Sequence, residues 1–152
     1  MAGQVLEIWT APEAGASMKM HDSIPAEAGL GLAGDRYACQ ESGGAPDREL
    51  TLIAQESLDW LHQTHGISMT AADSRRNILV TGISLNPLVG QRFHIGRVEV
   101  EGMRLCQPCK QLATILGFDF AHLMLNRAGL NCRILNSGTI SVGDVVDAPH
   151  EE

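Results

Sequence analysis

The sequence predicts a mostly β domain, a closed or nearly closed β-barrel with a few short helices. Three observations carry this. Short runs of alternating apolar and polar residues recur along the chain, punctuated by many of the 16 glycines. Only two stretches have helical spacing. Strand and helix do not alternate regularly, which argues against a doubly wound sheet.

In chain order, Val5–Thr10 reads as the first strand and Ala11–Ser17 as a loop of small residues. Ala28–Tyr37 holds Gly29, Gly31 and Gly34, so the backbone there bends or approaches something closely. Gln40–Asp47 is a surface loop, and Glu49–Ile53 a strand. Leu58, Leu61 and His65 then recur at helical spacing, with Gly66 where a C-terminal cap belongs. Asn77–Thr81 is a short buried strand and Asn86–Gly90 a turn. Phe93 and Ile95, then Val98 and Val100, alternate with polar residues on either side of Gly96, as in a hairpin. Asp119 can cap a second helix that Gly129 stops, with Phe118 and Leu123 as a hydrophobic staple. Arg133–Leu135 and Thr139–Val146 close the chain as strands around a turn at Asn136–Gly138.

A single domain over residues 1–152 follows from the length. The 44% hydrophobic content supplies one packed core, and 19% charged residues are too few for a disordered chain. A net charge of −7 argues against a dedicated nucleic-acid or membrane-surface binder. No apolar run reaches the roughly 18 residues of a membrane span. The N-terminus lacks a signal-peptide pattern, so a cytoplasmic, reducing location is expected. There Cys39, Cys106, Cys109 and Cys132 are thiols rather than a disulfide framework.

Cys106-Gln-Pro-Cys109 is the most informative segment. A helix over Lys110–Leu116, together with Arg104 and Lys110, would lower the pKa of a thiol placed at its start. Such a thiolate is a nucleophile or a soft metal ligand. Structural zinc, a thioredoxin-like redox pair and two inert buried cysteines are the alternatives. Zinc usually takes two such pairs and only one exists, and the redox pair lacks its βαβ setting. His62 and His65, three residues apart, could chelate a metal but have no third ligand at motif spacing.

The segments Gly31-Leu-Ala-Gly-Asp-Arg-Tyr37, Glu49-Leu-Thr-Leu-Ile53, Arg75-Arg-Asn-Ile-Leu-Val80, Leu88-Val-Gly90, Phe93-His-Ile-Gly96, Cys106-Gln-Pro-Cys109, Gly129-Leu-Asn-Cys-Arg-Ile-Leu135 and Gly138-Thr-Ile-Ser-Val-Gly-Asp144 stand in the order of a MOSC domain, which nearly the whole chain resembles. The resemblance implies a mostly β barrel associated with the molybdenum cofactor (molybdopterin), a pterin carrying a phosphate. It matches Cys109 to the family's characteristic cysteine, which ligates molybdenum or carries sulfur toward it. It also aligns Arg36, Arg76 and Arg133 with basic positions of the family, with Asn77 after Arg76 and Asp35 beside Arg36. Forked guanidinium and amide groups suit a phosphate and a pterin, while a salt bridge with one of the 18 acids is the plain alternative for each arginine.

Two departures stand out. Tyr37 replaces a frequent histidine and would be a poor substitute for a neutral imidazole in proton transfer. Cys132 replaces a common alanine. The pyridoxal-dependent sulfurase domain and a ferredoxin-like extension are absent from the sequence, so a reductase would need a separate electron donor. The readings are an oxotransferase acting on N-hydroxylated compounds, a non-catalytic carrier of sulfur or cofactor served by a sulfur-donor protein, and a scaffold that binds only a partner protein.

Overall fold

The computed structural model describes residues 2–13, 15–38, 48–106, 124 and 126–148, the side chain of Tyr37 excepted. Cys39, Cys109, the helix expected over Lys110–Leu116 and the helix expected from Asp119 lie outside the described residues.

Strand β1 (Ala2–Thr10) is followed by β2 (Lys19–His21), β3 (Ser23–Glu27) and β4 (Gly31–Leu32). After a 3-10 turn at Arg36–Ala38 come β5 (Leu50–Ala54), α1 (Gln55–His65), α2 (Ala71–Ser74) and β6 (Ile78–Thr81). The chain continues through β7 (Arg92–Ile95), β8 (Val98–Leu105), β9 (Leu130–Ile134), β10 (Gly138–Ser141) and β11 (Val145–Asp147).

Seven strands close a barrel in the order β1-β6-β5-β9-β8-β7-β11, and β11 pairs back onto β1. The mostly β barrel expected from the sequence is therefore present. β2 extends the sheet beside β1, and β10-β3-β4 form a separate three-stranded sheet. β5 and β6 run parallel. They are joined by α1, since a parallel pair needs a crossover rather than a hairpin.

Alternation explains which residues face inward. Val5, Ile8, Leu50, Leu52, Ile78, Val80, Phe93, Val100 and Ile134 belong to the barrel core, to which Ile24, Leu32 and Ile140 of the small sheet contribute. A register shift between Val5 and Glu7 re-phases β1. Leu6 then packs against a second cluster, made by Leu58 and Leu61 of α1 with Ile53, Leu79, Cys106 and Met124. Gly66 ends α1 in the left-handed conformation, with φ 67°.

The sequence reading missed β2, β3, β4 and α2. These strands are two to five residues long, and Pro25 interrupts the pattern of β3. α2 has only four residues, held by a capping box between Thr70 and Asp73. Among the described residues no helix is long and apolar enough to cross a membrane.

Candidate functional site

The outer face of β6, β5, β9 and β8 carries a row of polar side chains beside the second cluster. Strand register places Thr51 opposite Asn131, and Asn131 opposite Arg104. Asn77, just before β6, joins the row by side-chain bonds. Its Oδ1 accepts from Thr51 N at 3.0 Å and from the Thr51 hydroxyl at 3.1 Å, and its Nδ2 donates to the Trp9 carbonyl at 3.0 Å. Its own N–H donates to Thr51 Oγ1 at 2.9 Å. Asn77 therefore clips β1, β5 and β6 together while fully buried. The amide considered from sequence as a pterin partner is committed to these strands.

Asp35 is the second anchor. It is buried, and its Oδ1 accepts from Ala11 N at 3.1 Å and pairs with Arg36 Nη1 at 3.2 Å. Arg36 in turn donates through Nη2 to the Arg75 carbonyl at 3.0 Å. Arg75, left-handed at φ 61° where α2 ends, donates to the Ala16 carbonyl at 2.7 Å. Arg76 donates through Nε to the Ala128 carbonyl at 2.8 Å. Arg36 and Arg75 thus meet where the loop after β1 approaches the entry to β6, whereas the Arg76 side chain runs to Ala128 and acts on Cys106. Arg133 is exposed on β9, opposite Glu101 in register and beside Glu49, whose carboxylate accepts from Ile134 N at 2.8 Å. Among the described residues no hydrogen bond or ion pair joins Arg133 to Arg36 or Arg76.

Cys106 lies beside Asn131, within the influence of Arg76 and Arg104. It is buried, its N–H donates to the Gly129 carbonyl at 2.8 Å, and its thiol reaches Asn131 Oδ1 at 3.5 Å. Burial raises its pKa, and the charges of Arg76 and Arg104 offset part of that rise. Burial also raises the Cys132 thiol well above its ordinary value, with Cys106 adding to the effect. Both are protonated, slow-reacting thiols. Cys106 and Cys132 should accordingly resist iodoacetamide at pH 7.5 in the native state and react only on unfolding. Peptide mapping checks this, and rapid native labelling of Cys106 would contradict its burial. The linkage has a sign. The unfolded chain releases these protons at a lower pH than the native chain, so their stabilisation is complete below the unfolded thiol pKa and lost as pH rises toward the folded one. Urea midpoints measured from pH 7 to 10 should fall, and should fall less in Cys132→Ala.

A cleft of about 720 Å³ opens at the carboxyl ends of β5 and β6, lined among others by Ala54, Glu56, Ser57, Ile83, Arg127 and Gly129. Glu56 Oε2 fixes its rim by accepting from Thr81 Oγ1 at 3.1 Å and Gly82 N at 2.9 Å. Gly129 separates the cleft from Cys106, since a Cβ there would stand 3.6 Å from the thiol. Its walls are scattered in sequence, and no motif announced them.

The two histidines of α1 are apart in role. His62 Nδ1 contacts Ser68 Oγ at 3.3 Å, and His65 sets its edge against Trp60 with ring centroids 5.2 Å apart. Among the described residues no three His, Cys, Asp or Glu side chains are grouped to hold a metal ion.

The MOSC domain model matches residues 40–147. Among solved structures, the chain is similar to the YuaD protein of Bacillus subtilis, with a TM-score of 0.81 and 17% identity over 96% of this chain and 94% of that one. It is similar to YiiM of Geobacillus stearothermophilus, with a TM-score of 0.74 and 16% identity over 97% of this chain and 75% of that one. It is also similar to YiiM of Escherichia coli, with a TM-score of 0.72 and 21% identity over 100% and 71%. At these identities the likeness is one of fold. No curated protein matches the chain.

Proposed function

Because the chain belongs to the MOSC domain family, whose model spans residues 40–147, we propose that it binds the molybdenum cofactor, molybdopterin, with the thiolate of Cys109 as its single protein ligand to the metal. The observation that carries this is Arg76, whose guanidinium donates to the Ala128 carbonyl and whose charge acts on Cys106, with Arg36 tied to the backbone of the adjacent Arg75. Cys109 is the third residue after Cys106, so chain reach alone holds the two Cα atoms within about 11 Å.

The donor set fits the group. Forked guanidinium groups held by backbone carbonyls and by Asp35 are pre-organised for a phosphate. A metal delivered on its own organic ligand needs one further thiolate rather than a cage of side chains. When bound, the cofactor supplies two-electron chemistry at nitrogen, removing oxygen from an N-hydroxylated compound. The chain's residues bind and orient it: Arg36 and Arg76 take the phosphate, Asp35 orients Arg36, and Asn77 fixes the strands beside Arg76. A separate redox protein supplies the electrons, and the cytoplasm keeps Cys109 reduced.

The residue at position 37 favours a second reading. A phenol is mostly a proton donor near neutral pH and does not replace imidazole as a base. That suits a carrier which accepts sulfur on Cys109 from a sulfur-donor protein and hands sulfur or cofactor onward.

The test is elemental analysis for molybdenum on protein from cells able to make the cofactor. Cys109→Ser should lower bound molybdenum at least tenfold and leave the thermal transition unchanged, because a hydroxyl is a harder and far less acidic ligand. Wild-type protein without molybdenum but with a persulfide on Cys109 by mass would favour the carrier. Full retention of molybdenum in Cys109→Ser would overturn the assignment of that thiolate.

A further inference from the structure

Arg76 and Asn77 stand just before β6, whereas the cleft opens at the far ends of β5 and β6. Nothing in the binding of molybdopterin uses this cleft. Its volume of about 720 Å³ suits a small molecule.

Arg127 is the one basic residue among the described lining residues. Its guanidinium carbon lies 3.8 Å from the centre of the Trp60 ring. Such stacking holds the planar group by its face and leaves the N–H edges available. Among the described residues no hydrogen bond or ion pair engages this guanidinium, although the chain carries 18 acids.

The backbone fixes the placement. Asn126 is left-handed at φ 63°, uncommon for a residue other than glycine. Its carbonyl accepts from Asn86 Nδ2 at 3.0 Å, which ties this segment to the one after β6. The Arg127 N–H donates at 2.9 Å to the carbonyl of the fully buried Met124. Ile83 and Leu85 add apolar side chains to the lining. Glu56 is the one acid among the described lining residues, and its Oε2 is already held by Thr81 Oγ1 and Gly82 N.

We propose that the cleft binds a small organic acid. The carboxylate takes the N–H edges of Arg127, and the apolar body of the ligand lies against Ile83 and Leu85. Trp60 is a positioning residue, since it touches the guanidinium and not the ligand.

Benzoate, benzamide and benzamidine are the probes, planar molecules of one shape with a negative, a neutral and a positive head group. Each is titrated into the protein free of molybdenum, so the outcome is independent of Cys109. The backbone amide signals of Ile83, Arg127 and Gly129 are followed by NMR. Benzoate should shift them saturably and bind about tenfold more tightly than benzamide, the worth of a charge-assisted bond over a neutral one. Arg127→Gln should remove this preference. Trp60→Leu should weaken benzoate about threefold and leave benzamide unchanged, a split that general loss of structure would not produce. Equal affinity for benzoate and benzamide, tighter binding of benzamidine, or a preference that survives in Arg127→Gln would overturn the acid as ligand. Equal weakening of benzoate and benzamide in Trp60→Leu would overturn the positioning role of Trp60. No saturable shift with any of the three probes at millimolar concentration would overturn the site itself.

Discussion

Gly129→Ala should destabilise the protein by about 4 kcal/mol, the larger part of it from collision and the rest from backbone strain. Gly129 has φ 112°, a region L side chains rarely adopt. A Cβ there would overlap the Leu52 carbonyl oxygen on β5. Neither neighbour can yield cheaply. Leu52 is paired with Leu130 in the ladder, and the Gly129 carbonyl accepts the Cys106 N–H. At this size the loss corresponds to a fall in melting temperature of about 10 °C. Calorimetry checks the size, and native iodoacetamide labelling checks the place, since the new methyl should loosen the packing over Cys106 and raise its reactivity. A melting temperature within a degree or two of wild type would mean that the start of β9 is not fixed as described.

Asn77→Ala comes next, with an expected cost of about 3–4 kcal/mol. It leaves the Thr51 N–H, the Thr51 hydroxyl and the Trp9 carbonyl without their buried partner, and each such loss costs about 1–3 kcal/mol before relaxation. Asn77→Asp separates the terms. It keeps the acceptor for Thr51 but sets a carboxylate oxygen against the Trp9 carbonyl, so it should be no milder than alanine. Urea unfolding of protein free of molybdenum measures both. A deficit that appears only in cofactor-loaded protein would shift the weight of Asn77 from the strands to the ligand.

The parts of the fold that were legible in the sequence owe their legibility to local periodicity. The alternation around Gly96 gives β7 and β8, and Leu58, Leu61 and Gly66 give α1 and its end. β2 to β4 were not legible because strands so short carry too few alternations to stand out. The Thr70–Asp73 capping box was readable in principle but lacked an apolar run behind it. At the site, Asp35 and Arg36 are neighbours in sequence and do form an ion pair. Asn77 bonds partners 26 and 68 residues away, a relation that no local pattern encodes. Arg75 escaped attention beside Arg76 because its left-handed backbone, which turns the chain out of α2, has no signature in residue type. Cys132 is a core thiol of the barrel, at the position where the resemblance gave a common alanine.

The pairing of β1 with β11 joins Ala2 to Asp147. It sets an order on folding. During synthesis at about 5–20 residues per second, β1 leaves the ribosome on the order of ten seconds before the strand that covers its edge exists. Until then β1 has β2 on one stretch and an unpaired edge on another, the kind of surface that recruits foreign strands. Contacts this distant in sequence also slow the search for the native pairing. β11 is therefore a latch of only three residues, the last part of the barrel to arrive. Chains stalled after Ile134 should engage chaperones and aggregate, whereas chains released after Asp147 should close and escape both.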